Sequence, residues 1–325
     1  MTIYNTGITP SSITFFGNQA YVCNNNNYGI AGSDNVTVFD WISKVPITTI
    51  NDSSFNQPYR AAIDGRNNIY VTNSGGSTVT VIDGTNNTVS EVISGFDGPT
   101  GILITKKTMY VTNYGSNGGV GSGNGTTITV YDLSSKTITA TITTSLAPVD
   151  LALSPDKKFL YCLNYVDGNP NTGTINVINR ENNTIVNTIT GFSGPFGMTV
   201  SKKNKVYVTN FGSNNFSPYG NTVSVVNMKT NTITNTISVG IQPAGVCLSE
   251  DERKLYVSNY NSLYSGPSFT GLTYGNGTIN VISTKKNKVK STLSTLGQAP
   301  SFLTIKDNKL YVTSYVGNIV QSIKL

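Results

Sequence analysis

Two charged side chains, Arg60 and Asp150, stand at equivalent places, each two residues past a proline that opens a run of alternating apolar residues. Tyr59, Thr100 and Phe196 occupy neighbouring places in the same kind of run. Arg60 is a candidate ligand-binding residue, or a solvated side chain, and so is Asp150. It could equally pair with the Arg60 guanidinium, and a structural ion pair needs no further role. The chain contains no histidine. That removes the usual general base, the Ser-His and Cys-His nucleophile pairs and the commonest transition-metal ligand. Cys23, Cys162 and Cys247 have no CxxC spacing and fall in apolar runs, so they read as small buried hydrophobes with free thiols. No catalytic residue, metal or cofactor is assigned on these grounds. Free thiols fit folding in a reducing compartment, and assembly into a particle or surface fits them as well.

Aromatic residues supply a second candidate chemistry. Tyr114, Tyr165, Phe211, Tyr260 and Tyr315 each directly follow one recurring tetrapeptide, whereas Asn25 and Ser74 follow it in two other copies. Such rings either pack between repeats or form a broken aromatic row on which sugars or bases could stack.

The tetrapeptide is Tyr207-Val208-Thr209-Asn210, and six relatives of it recur at intervals of roughly 40 to 55 residues, the signature of one repeat architecture. They begin at Tyr21, Tyr70, Tyr110, Tyr161, Tyr256 and Tyr311. Each repeat reads as four short strands rich in Thr, Val, Ile and Tyr, punctuated by Gly, Asn and Pro. No stretch reads as a helix, and none has 18 consecutive apolar residues. Four antiparallel strands taken seven times predict an all-β, seven-bladed β-propeller forming a single domain over residues 1–325. The last repeat stops after three strands, while Thr2-Ile3-Tyr4-Asn5-Thr6 precedes the first. The N-terminal strand is therefore expected to complete the last blade, which places Met1 at or near the start of the natural chain.

These tetrapeptides, with Ala147-Pro148 through Ser154-Pro155-Asp156 and the following Leu160-Tyr161, resemble the YVTN family of β-propeller repeats over essentially the whole chain. Departures are Cys162-Leu163 for the Val-Thr pair, Ser314 for the asparagine, and the lack of an export signal at the N-terminus. The resemblance implies the propeller fold and a surface-layer or other secreted setting. Its activity stays open, because propellers host unrelated functions, among them lactonases and quinoprotein dehydrogenases.

If loops alternate between the two ends of each blade, 20 of the 22 basic residues gather at one end. Lys106, Lys107, Lys157, Lys158, Lys202, Lys203, Lys205, Lys285 and Lys286 form its densest groups. Short hairpin turns favour such residues anyway, and a surface for an anionic polymer or nucleic acid would look the same. The other end carries long, nearly uncharged insertions rich in Asn, Gly, Ser and Tyr: 25–34, 114–125, 165–173, 211–220 and 260–277. Loops of this composition either pack on one another or bind a protein or glycan partner. In the longest, Tyr264, Phe269 and Tyr274 are candidate anchors. The glycine-rich 118–125 lacks the Lys-Ser/Thr of a phosphate loop, and the seven Asn-x-Ser/Thr sequons are expected by chance in a chain with about 40 asparagines.

Overall fold

The tetrapeptide strands are the most deeply buried part of the molecule. Tyr21, Tyr207, Tyr256 and Tyr311 are all at most 2% exposed, and the second residue of each copy, Val in six and Cys162 in one, is fully buried. Such burial on both faces requires every sheet to pack between two others, which a strand of Tyr, Val and Thr tolerates and an amphipathic one would not. A computed structural model describes residues 1–26, 30, 32–115, 123–166, 171–212, 219–264 and 272–325, and for 263, 264 and 272–274 the backbone only. Among these residues there is no helix, and seven four-stranded antiparallel sheets follow one another along the chain. The fold is a seven-bladed β-propeller.

The fifth blade comprises Pro195–Ser201, Lys205–Gly212, Tyr219–Asn227 and Thr232–Ser238. The sixth comprises Pro243–Leu248, Lys254–Asn259, Asn276–Ser283 and Lys288–Gln298. The seventh has Pro300–Lys306, Lys309–Ser314 and Ile319–Lys324, with Thr2–Asn5 as its fourth strand. The N-terminal strand thus completes the last blade as the missing strand required.

Every first strand opens at a proline, and in blades one, two, three, five, six and seven it is bulged just after it, as where Pro195 pairs with Asn210 but Met198 with Val208. The bulge leaves backbone groups without ladder partners, and the motif hydroxyl replaces them. Thr209 Oγ1 accepts the Gly197 N–H at 2.9 Å and donates to the Ala244 carbonyl of the next blade at 2.8 Å. Ser258 does the same between Gly245 and Ser301, at 2.9 Å each. Where Cys23 stands at this position, Ser11 takes over, its Oγ 2.7 Å from the Tyr59 carbonyl. The motif asparagine clips the second strand to the third: Asn210 Nδ2 donates to Thr222 and Ser224, and Asn113 Nδ2 to Thr127 and Thr129.

Because Thr209 satisfies two otherwise orphaned backbone groups, Thr209→Val should destabilise by about 2–4 kcal/mol, whereas Thr209→Ser keeps most of the stability. Urea midpoints of the two variants measure the difference, and equal midpoints would refute the bridging role.

Two compact units divide the chain. One contains Met1–Ile3, Ala152–Gly317 and Gln321–Leu325, the other Tyr4–Leu151 and Asn318–Val320. In the second unit Tyr21, Val36, Val38, Phe55, Ile69 and Val71 form the core between the first two blades. In the first, Tyr207, Val223, Val225, Leu255 and Val257 fill the equivalent space between blades five and six.

Candidate functional site

Arg60 and Asp150 meet. Arg60 Nη1 lies 2.8 Å from Asp150 Oδ1, with side chains 19% and 9% exposed. The same oxygen accepts the Leu151 N–H at 3.0 Å. Asp150 lies on the first strand, Pro148–Leu153, of the one blade whose motif has Leu163 in place of a hydroxyl or thiol residue. Burial pushes the Tyr59 phenol above its ordinary value, Arg60 pulling it back and Asp150 adding to the rise. Among the described residues, no three of His, Cys, Asp or Glu converge as a metal cage would need. Thr100, the remaining residue of that group, is 6% exposed and bonds with Thr112 at 3.0 Å.

The aromatic positions are set by backbone geometry. The residue before each opening proline has positive φ, including non-glycines such as Gln57, Ala147, Gln242 and Ala299. Its carbonyl then accepts the N–H of the residue after the motif: Gly98 from Tyr114, Gly194 from Phe211, Gln242 from Tyr260 and Ala299 from Tyr315, all within 3.1 Å. Left-handed backbone costs a non-glycine roughly 1 kcal/mol or more, so its recurrence marks a position fixed by the surrounding bonds. Tyr165, Phe196, Phe211, Tyr260 and Tyr315 form a continuous row in one unit. Successive ring centroids lie 6.4, 5.4, 5.8 and 6.1 Å apart. Tyr165 and Phe211 are buried, whereas Phe196, Tyr260 and Tyr315 are half-buried and keep ring surface open. Tyr114 belongs to the other unit and covers Gly123.

Beside Tyr260 the longest insertion forms its own two-stranded sheet, Ser262–Tyr264 paired with Leu272–Tyr274. Gln242, fully buried, anchors its base: Oε1 accepts from the Ser262 N–H at 2.8 Å and the Ser262 hydroxyl at 2.6 Å. Tyr264 and Tyr274 lie on this hairpin. Phe269 and the interiors of the other long insertions fall outside the described residues. Gln242 is a residue that sequence reasoning missed, since only its place before Pro243 hints at its role.

Basic residues of two blades converge in one place. A cavity of about 620 Å³ opens between blades five and six, lined by Lys203, Lys205, Arg253, Lys285, Lys286 and Lys290. The carboxylate of Glu252 also lines it, but is engaged by the Ser201 hydroxyl at 2.8 Å and the Lys202 amide at 2.9 Å. Among the described residues, no carboxylate pairs with the five lysines, and Arg253 reaches only exposed Asp251 at 3.8 Å. Tyr207 also lines the cavity, its phenol pushed up to about 12 by burial and then by Glu252, so its O–H stays protonated at neutral pH. Lys157 and Lys158 lie in the same unit without lining this cavity, and Lys106 and Lys107 belong to the other unit. The three thiols are free, Cys23 and Cys162 buried and Cys247 partly so. Burial raises Cys23 to about 12 and raises Cys247 as well.

No protein-family model matches the chain. Over 61 residues, 19% of its length, it is 46% identical to the PE-PGRS family protein PE_PGRS18 of Mycobacterium tuberculosis, and that stretch spans only 13% of the relative. Among solved structures, the Kuenenia stuttgartiensis hydrazine synthase superposes with a TM-score of 0.80 at 17% identity, over 98% of this chain and 96% of that one. At that identity the likeness shows fold alone. What the chain shares along its length is therefore the architecture of a β-propeller.

Proposed function

We propose that this protein is a non-enzymatic recognition module, a single propeller domain of the YVTN-repeat kind. It would engage a protein or glycan partner as a component of a surface or particle. The observation that carries the reading is the row Tyr165, Phe196, Phe211, Tyr260 and Tyr315, with the anchored hairpin rising beside Tyr260. Rigid rings offer contact area at little entropic cost, and half-exposed aromatics in a row suit the apolar faces of sugar rings or an extended chain.

The test trims the hairpin without disturbing its base. Replacing 263–273 by Asn-Gly keeps Ser262 for Gln242 and leaves Tyr274 as its partner in a two-residue turn. Loop closure depends only on the logarithm of length, so the melting temperature should change by no more than about 2 °C. Labelled wild type should bind members of a glycan array or a displayed-peptide library, and the trimmed form and Tyr260→Ala/Tyr315→Ala should lose that binding. Wild type that binds neither collection would overturn the reading, as would a trimmed form that binds undiminished.

A further inference from the structure

The cavity between blades five and six plays no part in that recognition row, and it has the composition of an anion site. Six cationic side chains face one carboxylate, and that carboxylate is held by Ser201 and the Lys202 amide instead of by any of the cations. Like charges crowded at one opening repel one another, so an unfilled cavity of this kind is less favourable than one holding a counter-charge. Three features narrow the ligand. The volume of about 620 Å³ is that of a small-molecule site and too small for a folded polymer. Five of the six cations are lysines, which bind phosphate as mobile point charges, while planar carboxylate recognition favours the arginine fork. The one aromatic at the site, Tyr207, is 1% exposed and packs in the core between the two blades, so there is no open ring face for stacking a base. Ser283 adds a hydroxyl that accepts from the Lys286 amide at 3.3 Å, which leaves its own proton for a ligand oxygen.

We propose that this cavity is a binding site for a compact molecule carrying several phosphate groups, held by Lys203, Lys205, Lys285, Lys286 and Lys290 from the turns and adjoining strand ends of two adjacent blades. The lysines come from two different blades, so a ligand reaching both would bridge them. Binding should therefore raise stability as well as release heat.

Isothermal titration of the full chain at physiological salt would use inositol hexakisphosphate, tripolyphosphate and orthophosphate as probes, with sucrose octasulfate and a 20-nucleotide single-stranded DNA as competing chemistries. Inositol hexakisphosphate and tripolyphosphate should bind one-to-one, about a hundredfold tighter than orthophosphate, because their charges are linked. Both Lys203→Gln/Lys205→Gln and Lys285→Gln/Lys286→Gln should weaken them at least tenfold, while the equally basic Lys157→Gln/Lys158→Gln pair should not. Circular dichroism of each variant confirms that it is folded. The assignment falls if neither polyphosphate binds, if several bind per chain, or if the control pair matters as much as the cavity lysines. Tighter binding of the octasulfate or of the DNA than of inositol hexakisphosphate overturns the phosphate-bearing small molecule. Since none of these outcomes involves the aromatic row or the hairpin, failure here leaves the recognition reading untouched, and the reverse holds too.

Discussion

Deletion of residues 1–6 lowers the melting temperature by several degrees, a drop of up to about 10 °C, and leaves a protein that self-associates. The deletion removes the strand Thr2–Asn5 and exposes the hydrogen-bonding edge of Ile319–Lys324, an invitation to pairing with another chain. It also removes Tyr4, which is 6% exposed and stacks on Phe39 with ring centroids 4.1 Å apart. Burial of one aromatic is worth about 2–3 kcal/mol, and a domain of this size loses roughly 2–3 °C per kcal/mol. The Thr6 amide, which donates to the Asn318 carbonyl at 3.1 Å, and the Thr9 amide, which donates to Asn318 Oδ1 at 2.9 Å, fasten the chain as it leaves that sheet. Tyr4→Ala alone should therefore show about half the loss and no self-association, since the edge remains covered. Melting curves and sedimentation separate the two effects, and an unchanged curve on deletion would mean that the strand does not complete the blade in solution.

Why the fold could be read from the sequence, and the sites much less so, follows from what repeats. A tetrapeptide whose tyrosine, valine, threonine and asparagine each satisfy a separate requirement recurs seven times, and repetition averages away the ambiguity of any single strand. The missing fourth strand of the last blade was legible for the same reason. The bridge from Thr209 to Ala244 was not, because it depends on a bulge that only the register reveals. The basic residues could be sorted to one end by counting turns. Their convergence at Lys203, Lys205, Lys285, Lys286 and Lys290 depends on how two blades pack side by side, which no local pattern encodes. Charge counting alone would also have set Glu252 against the lysines, whereas its partners are a hydroxyl and an amide. The aromatics after the motif were visible as a set. Their contact in a row required Phe196, which comes from a first strand and lies between Tyr165 and Phe211. Gln242 carried no signal beyond its place before a proline, although it ties the longest insertion to the sixth blade.

Asp150→Ala should destabilise the protein by about 2–4 kcal/mol, the range for leaving a largely buried charge without its counter-ion. The Arg60 side chain is 19% exposed, so water compensates only part of the loss. The double replacement Arg60→Met/Asp150→Leu should return stability to within about 1 kcal/mol of wild type, because removing both charges also removes their desolvation cost. Apolar residues suit both places: Arg60 occupies the strand position held by Phe302 in the last blade, and Asp150 stands in the blade whose motif already carries Leu163. Denaturant titration of the two singles and the double closes the thermodynamic cycle, and a coupling of at least about 1.5 kcal/mol is expected for a contact of 2.8 Å. The same three proteins distinguish a structural pair from a working one. A pair that only holds the first strands of two blades leaves every ligand affinity of the double variant at the wild-type value. A pair that orients a ligand leaves a double variant that is as stable as wild type and binds nothing there. Additive losses with no coupling would show instead that the ion pair does not form in solution.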